Sequence, residues 1–209
     1  MTDMNLSDLE VTFTDWVPEN SIIKVIGVGG GGVNAVNYMY NQKIEGCSFD
    51  GKVDGVSYVG GVIGGTGNSP KYEVSRTSVK GQIIASNSYS GGIIAAAQSP
   101  DQTVSNCFCS ASVELTGTGK QIGCIVGTAT SVITITNSFA SGDQLSNNIA
   151  GGIVGRIMGT NSDVTMTNNL AKATFNVDSW CTAQIVAHAQ NNAVKASNNF
   201  FVQTANTPA

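Results

Sequence analysis

Charge is scarce in this sequence. Asp, Glu, Lys and Arg make up only 11% of its 209 residues, and a net charge of −4 leaves no basic footprint. A nucleic-acid partner is therefore not expected. No apolar run approaches the roughly 18 residues that a transmembrane helix needs. Residues 1–20 are acidic and polar, with Asp3, Asp8, Glu10, Asp15 and Glu19. They lack the positive start and apolar centre of a secretory signal, and a poorly ordered leader is expected there.

Catalytic and metal-binding signatures are equally thin. His188 is the sole histidine, and neither a nucleophile-elbow motif nor a pair of carboxylates accompanies it. The five cysteines are Cys47, Cys107, Cys109, Cys124 and Cys181. They form neither two spaced pairs nor a Cys/His set, so no metal site is expected. Their odd number and loose spacing define no disulfide framework. Cys47 and Cys107 instead occupy equivalent positions of a repeat, where other copies hold Thr, Ser or Asn.

That repeat dominates residues 47–209. A phrase of the form Asn-Ser-Phe-Ala recurs, as Asn106-Cys107-Phe108-Cys109, Asn137-Ser138-Phe139-Ala140, Asn168-Asn169-Leu170-Ala171 and Asn198-Asn199-Phe200-Phe201. Degenerate copies start at Gly46 and Arg76. The second residues are 47, 77, 107, 138, 169 and 199, giving steps of 30, 30, 31, 31 and 30. A second phrase keeps the same period: Gly60-Gly61-Val62-Ile63, Gly91-Gly92-Ile93-Ile94, Gly123-Cys124-Ile125-Val126 and Gly151-Gly152-Ile153-Val154, with a decayed copy at Ala183-Gln184-Ile185-Val186. A third phrase, such as Val132-Ile133-Thr134-Ile135-Thr136, alternates with period two.

Each unit thus carries three short runs rich in Val, Ile, Thr and aromatics, punctuated by Gly, Asn and Ser, which is strand chemistry. No run keeps a helical spacing for three turns. The units are also too short for propeller blades of about 40–50 residues. The expected fold is all-β: a right-handed parallel β-helix of about five rungs, one unit per turn, with a small N-terminal β-strand–loop–helix segment. Alternation sets Val132, Thr134 and Thr136 against Ile133 and Ile135, and should place one set inside and the other in solvent. The glycine pairs suit a sharp corner or a close approach of neighbouring coils. The Asn106, Asn137, Asn168 and Asn198 column should form left-handed turns.

Over residues 46–202 these phrases resemble the GLUG-type repeats of bacterial surface proteins, best at Gly151–Gly155 with Asn137–Gly142. The resemblance implies a secreted or cell-surface, adhesin-like solenoid. It would be noncatalytic, meeting a glycan, a protein or sister chains end to end through its faces. Polysaccharide lyases and hydrolases also use β-helices, but they cluster charged side chains on one face. Here the acidic residues Glu73, Asp101, Glu114, Asp143, Asp163 and Asp178 are scattered.

Residues 21–46 differ in kind. Ile22-Ile23-Lys24-Val25-Ile26-Gly27-Val28 reads as a buried strand, residues 29–32 are four glycines, and Val33, Val36 and Tyr40 share one helical face. Strand, glycine loop and helix N-terminus together can cradle a phosphate. The segment resembles the start of the bacterial cell-division GTPase FtsZ, so the chain reads as a join of two unlike resemblances near residue 46. The likeness implies GTP contacts at Gly30, Gly31, Gly32 and Asn34, with Val33 where that family usually has Gly, and a cytoplasmic setting. The family's second glycine-rich phosphate loop and its acidic hydrolytic loop are missing. Gly64-Gly65-Thr66-Gly67 echoes the former but sits in the repeat register.

A solenoid end exposes unpaired strand edges, and terminal repeats need caps. The apolar stripe of Val33, Val36 and Tyr40 lies directly before the first rung. Helix 33–41 is expected to fold over that rung. Deleting residues 1–44 should then lower the melting temperature or drive the chain into larger species on size exclusion. An unchanged, monomeric truncation would make the helix a passenger.

Overall fold

The computed structural model describes residues 43–67, 71–117, 121–159, 162–175, 181–190 and 194–203. The expected strand 22–28, the glycine loop and helix 33–41 lie outside them. The described residues are all-β, and every strand pairing is parallel. The chain winds through five turns and begins a sixth, so that each strand pairs with its own equivalent in the next turn. Ile44, Val74, Val104, Ile135, Met166 and Ala196 pair in series at separations of 30, 30, 31, 31 and 30 residues. The sequence period is thus the length of one turn. The two weakest copies, at 76–83 and 182–187, form rungs like the others.

Four sheets enclose the interior, where three strands per unit were expected. The first sheet stacks Lys43–Glu45, Tyr72–Ser75, Gln102–Ser105, Ile133–Thr136, Val164–Thr167 and Val194–Ser197. The second begins with the eight-residue strands Ser48–Gly55 and Ser78–Ala85. From the third rung on, it is split into short pairs such as Phe108–Cys109 and Ser112–Leu115. Within the second of these strands Gly81 takes a left-handed conformation, with φ of +91°. In the third rung the strand is interrupted at the equivalent Ala111.

The extra sheet comes from the glycine phrase. It reads as one run in the sequence, but its glycines bend it into two strands on separate sheets. Ser90–Gly91 belongs to the third sheet and Ile94–Ala97 to the fourth. The bend is tight enough to exclude a side chain. A Cβ on Gly60, Gly91, Gly123 or Gly151 would lie 2.0–2.1 Å from the carbonyl oxygen three residues ahead. The second glycine serves the other expected purpose, close approach of coils. A Cβ on Gly61 or Gly152 would come within 2.4 Å or 2.3 Å of the next rung's backbone oxygen.

Backbone pairing through the bend is shared rather than one-to-one. Ile93 N–H and Ile94 N–H both donate to Ile125 O, and Ile125 N–H and Val126 N–H both donate to Ile153 O. In the fifth rung Ala183 and Gln184 replace the glycines, and the bend relaxes. Ile153 N–H and Val154 N–H then donate separately to Gln184 O and Ile185 O.

Inside, apolar residues stack in columns. Val74, Val104, Ile135 and Met166 form one, and Ile63, Ile94, Val126 and Val154 another, all at most 1% exposed. Ile133 and Ile135 are buried, whereas Thr134 and Thr136 are partly exposed and Val132 is exposed, as the alternation requires. No single rung could bury these side chains alone. Stacking makes the core continuous, and each fully buried Ile or Val contributes about 1.5–3 kcal/mol. The sixth rung has nothing stacked on it among the described residues. Phe201, in an inward position, is accordingly 60% exposed.

These collisions predict a graded response to added methyl groups. Gly91→Ala or Gly151→Ala places a Cβ against backbone that cannot move freely, and should cost about 1–3 kcal/mol or more. At Gly65 a Cβ would meet nothing nearer than the Gln98 side-chain oxygen at 3.4 Å, so Gly65→Ala should be near neutral. Urea denaturation of the three variants checks the order.

Candidate functional site

The corner between the first and second sheets combines a rigid interior with a patterned exterior. At its apex the chain turns through the left-handed region: φ is +53° at Asn106, +51° at Asn137, +57° at Asn168 and +52° at Asn198. Asn reaches this conformation at lower cost than most residues, which explains the asparagine column. Arg76 takes the same role in the second rung, with φ of +49°.

The residue after each apex points inward and completes a polar ladder. Ser138 Oγ accepts a hydrogen bond from Cys107 N–H at 3.2 Å. Asn169 Oδ1 accepts from Ser138 N–H at 3.0 Å, and Asn199 Oδ1 from Asn169 N–H at 3.0 Å. Asn169 Nδ2 donates to Ile135 O at 2.9 Å, and Asn199 Nδ2 to Met166 O at 2.8 Å. Thr77 Oγ1 and Ser138 Oγ donate to the carbonyls two residues before them. At this corner side-chain oxygens take the place of backbone acceptors, so small polar residues recur there.

Cys107 fits the same ladder, with Sγ 3.3 Å from Ser105 O and 3.6 Å from Val74 O. Burial pushes its thiol above the ordinary cysteine range, and does so more strongly for Cys109. While reduced and enclosed in the folded rung, such thiols are poor nucleophiles.

Outside, the strand register lines up four columns. Thr103, Thr134 and Thr165 form the first, ending in Lys195. Ser105, Thr136, Thr167 and Ser197 form the second, and Thr167 Oγ1 lies 3.3 Å from Ser197 Oγ. The exposed apex amides of Asn106, Asn137, Asn168 and Asn198 form the third. Phe108, Phe139, Leu170 and Phe200 form the fourth. The Phe108 and Phe139 rings stack with centroids 5.4 Å apart, Leu170 is 38% exposed and Phe200 66%. The third position of the recurring Asn-Ser-Phe-Ala phrase thus forms an apolar ladder that faces outward. Toward the first rung the hydroxyls give way to charge, where Lys43 pairs with Glu45 and Glu73, and Arg76 with Glu45.

The other sequence candidates disperse. Gly30, Gly31, Gly32 and Asn34 lie outside the described residues. Gly65 ends the strand Ile63–Gly65, and Thr66 Oγ1 accepts from the N–H groups of Gln98 and Ser99 at 2.7 and 3.0 Å. That loop is a rung-to-rung tie. His188 pairs in register with Arg156 on the fourth sheet. Among the described residues no three His, Cys, Asp or Glu side chains gather as a metal site.

No family model matches the chain, and no solved structure matches it. Several curated relatives share a short stretch with the chain. The cell division protein FtsZ of Pseudomonas putida is 63% identical over 35 residues, 17% of this chain and 9% of that protein. That of Azotobacter vinelandii matches equally over 35 residues. FtsZ of Buchnera aphidicola subsp. Acyrthosiphon pisum is 67% identical over 30 residues, 14% of this chain and 8% of that protein. The chain spans less than a tenth of the length of each. The matched stretch falls outside the described residues.

The inner ladder is testable independently of any ligand. Asn169→Leu removes the acceptor of Ser138 N–H and the donor to Ile135 O together. Leaving buried polar groups unpaired costs about 1–3 kcal/mol each. A fall in the urea midpoint of that order is expected, with Asn169→Ser milder because Ser138 already serves in that role one rung earlier.

Proposed function

We propose that this chain is a noncatalytic, cell-surface, adhesin-like binding solenoid, and that its ligand is a glycan lying along the Thr/Ser–Asn–Phe columns. The observation that carries the reading is the outward aromatic ladder in register with hydroxyl and amide columns. Single exposed apolar residues need no explanation. Four in one line, one per rung, with Phe108 and Phe139 half-buried and Leu170 and Phe200 exposed, form a continuous apolar strip of the kind that marks interaction sites. The strip stabilises no interior and is flanked by donors and acceptors at fixed spacing. Aromatic faces cover the C–H faces of sugar rings, while hydroxyls and amides pair with sugar hydroxyls. Rungs about 4.8 Å apart repeat these groups at close to the length of one sugar unit. The low charge of the face suits a neutral or weakly charged polysaccharide.

A second reading concerns the N-terminal segment alone. The short matches to FtsZ favour GTP contacts at Gly30, Gly31, Gly32 and Asn34. A single strand–loop–helix lacks the neighbouring parallel strands that bury such a unit, and the second phosphate loop is missing. Micromolar GTP binding abolished by Gly31→Asp would replace the glycan reading. None is expected.

Affinity electrophoresis against a panel of soluble polysaccharides tests the glycan reading. At least one should retard the protein. Phe139→Ala should weaken that binding about tenfold, equivalent to about 1.4 kcal/mol, without changing the melting temperature. A chain that no glycan retards, or a Phe139→Ala variant that binds unchanged, would sink the reading.

A further inference from the structure

We propose that Cys109 and Cys124 form an intramolecular disulfide that ties the second sheet to the glycine bend across the interior of the third rung. The two residues are 15 apart in sequence, and their sulfurs face each other at 2.6 Å, closer than two sulfurs in simple contact. Both are 0% exposed. Cys124 Sγ also lies 3.3 Å from Cys109 O.

The juxtaposition is particular to this rung. Cys109 stands in register between Val79 and Ala140. Cys124 takes the second-glycine position, which is Gly61, Gly92 and Gly152 in other rungs. That position looks into the next rung. A Cβ on Gly61 would meet Val79 Cγ1 at 2.7 Å, and one on Gly92 would meet Cys109 Sγ at 2.2 Å. In the rung after Cys124 the residue in register with Cys109 is the small Ala140, and the Cys124 side chain turns to Cys109. The other three thiols have carbonyl partners: Cys47 with Glu45 O, Cys107 with Ser105 O and Cys181 with Ala187 O.

The chemistry is thiol–disulfide exchange with a small-molecule disulfide or a disulfide-bearing oxidoreductase. One cysteine thiolate attacks the oxidant's S–S bond, giving a mixed disulfide and releasing one thiol. The second cysteine then displaces the other half. Two S–H bonds are lost and one S–S bond forms, while the oxidant takes up two electrons and two protons and leaves as two thiols. Because both sulfurs are buried, exchange precedes closure of the rung or follows its transient opening. Such a bond persists in the oxidising compartments that exported proteins enter.

The full chain is refolded from denaturant in oxidised glutathione, alkylated while denatured, and digested with trypsin. Cleavage after Lys80, Lys120 and Arg156 puts Cys109 and Cys124 on separate peptides, 81–120 and 121–156. The two peptides should run together without reductant and separate with it, lighter by two hydrogens when linked. The link should survive Cys107→Ser and vanish in Cys109→Ala and Cys124→Ala. The oxidised wild type should also melt above its reduced form, with no such difference in Cys124→Ala. Alkylation of all five thiols after oxidative refolding would overturn the proposal. So would a link that persists in Cys109→Ala.

Discussion

A rung of this protein cannot satisfy its own backbone. In its strands, N–H and C=O groups look along the solenoid axis to the next turn. Bonds such as Gly46 N–H to Ser75 O, Ser78 N–H to Cys47 O and Phe139 N–H to Cys107 O connect adjacent turns in strands and corners alike. Buried backbone groups left unpaired are costly, so every turn must keep its neighbour's path. Wherever the path bends sharply, side chains must yield to it. Glycines vacate the bend between the third and fourth sheets. Serine and asparagine side chains supply the missing acceptors at the bend between the first and second.

The same constraint explains what was legible in the sequence. Equivalent positions meet equivalent environments, so stacking writes the turn length into the chain as a recurrence of 30 or 31 residues. The alternation of Ile133, Thr134, Ile135 and Thr136 was readable because that strand is four residues long. Strands of two residues, such as Phe108–Cys109 and Ser90–Gly91, are too short to carry a period. The direction of the phenylalanine ladder and the division of the glycine phrase between two sheets were therefore hidden. The meeting of Cys109 and Cys124 was hidden for another reason. It crosses the interior within one turn, and repeats report only contacts between turns.

The corner at Asn106, Asn137 and Asn168 joins structure to display. Its inner residues are held by hydrogen bonds that run from rung to rung, which leaves little freedom to the backbone carrying the outer ones. Thr134, Thr136, Asn137 and Phe139 stand on a frame fixed by Ser138 and Asn169 behind them. An exposed surface so supported would lose little conformational entropy on meeting the proposed glycan, the general advantage of a preorganised site.

The uniform turn length also has a kinetic meaning. In most folds, lengthening the chain brings together residues ever farther apart, and folding slows as loops of growing size must close. Here each new turn closes a loop of 30 or 31 residues onto a surface already formed. Closure entropy per step stays constant however many turns are added. Nucleation on any adjacent pair of rungs could extend in both directions, so assembly resembles the growth of a one-dimensional crystal, where the first layer is the slow one.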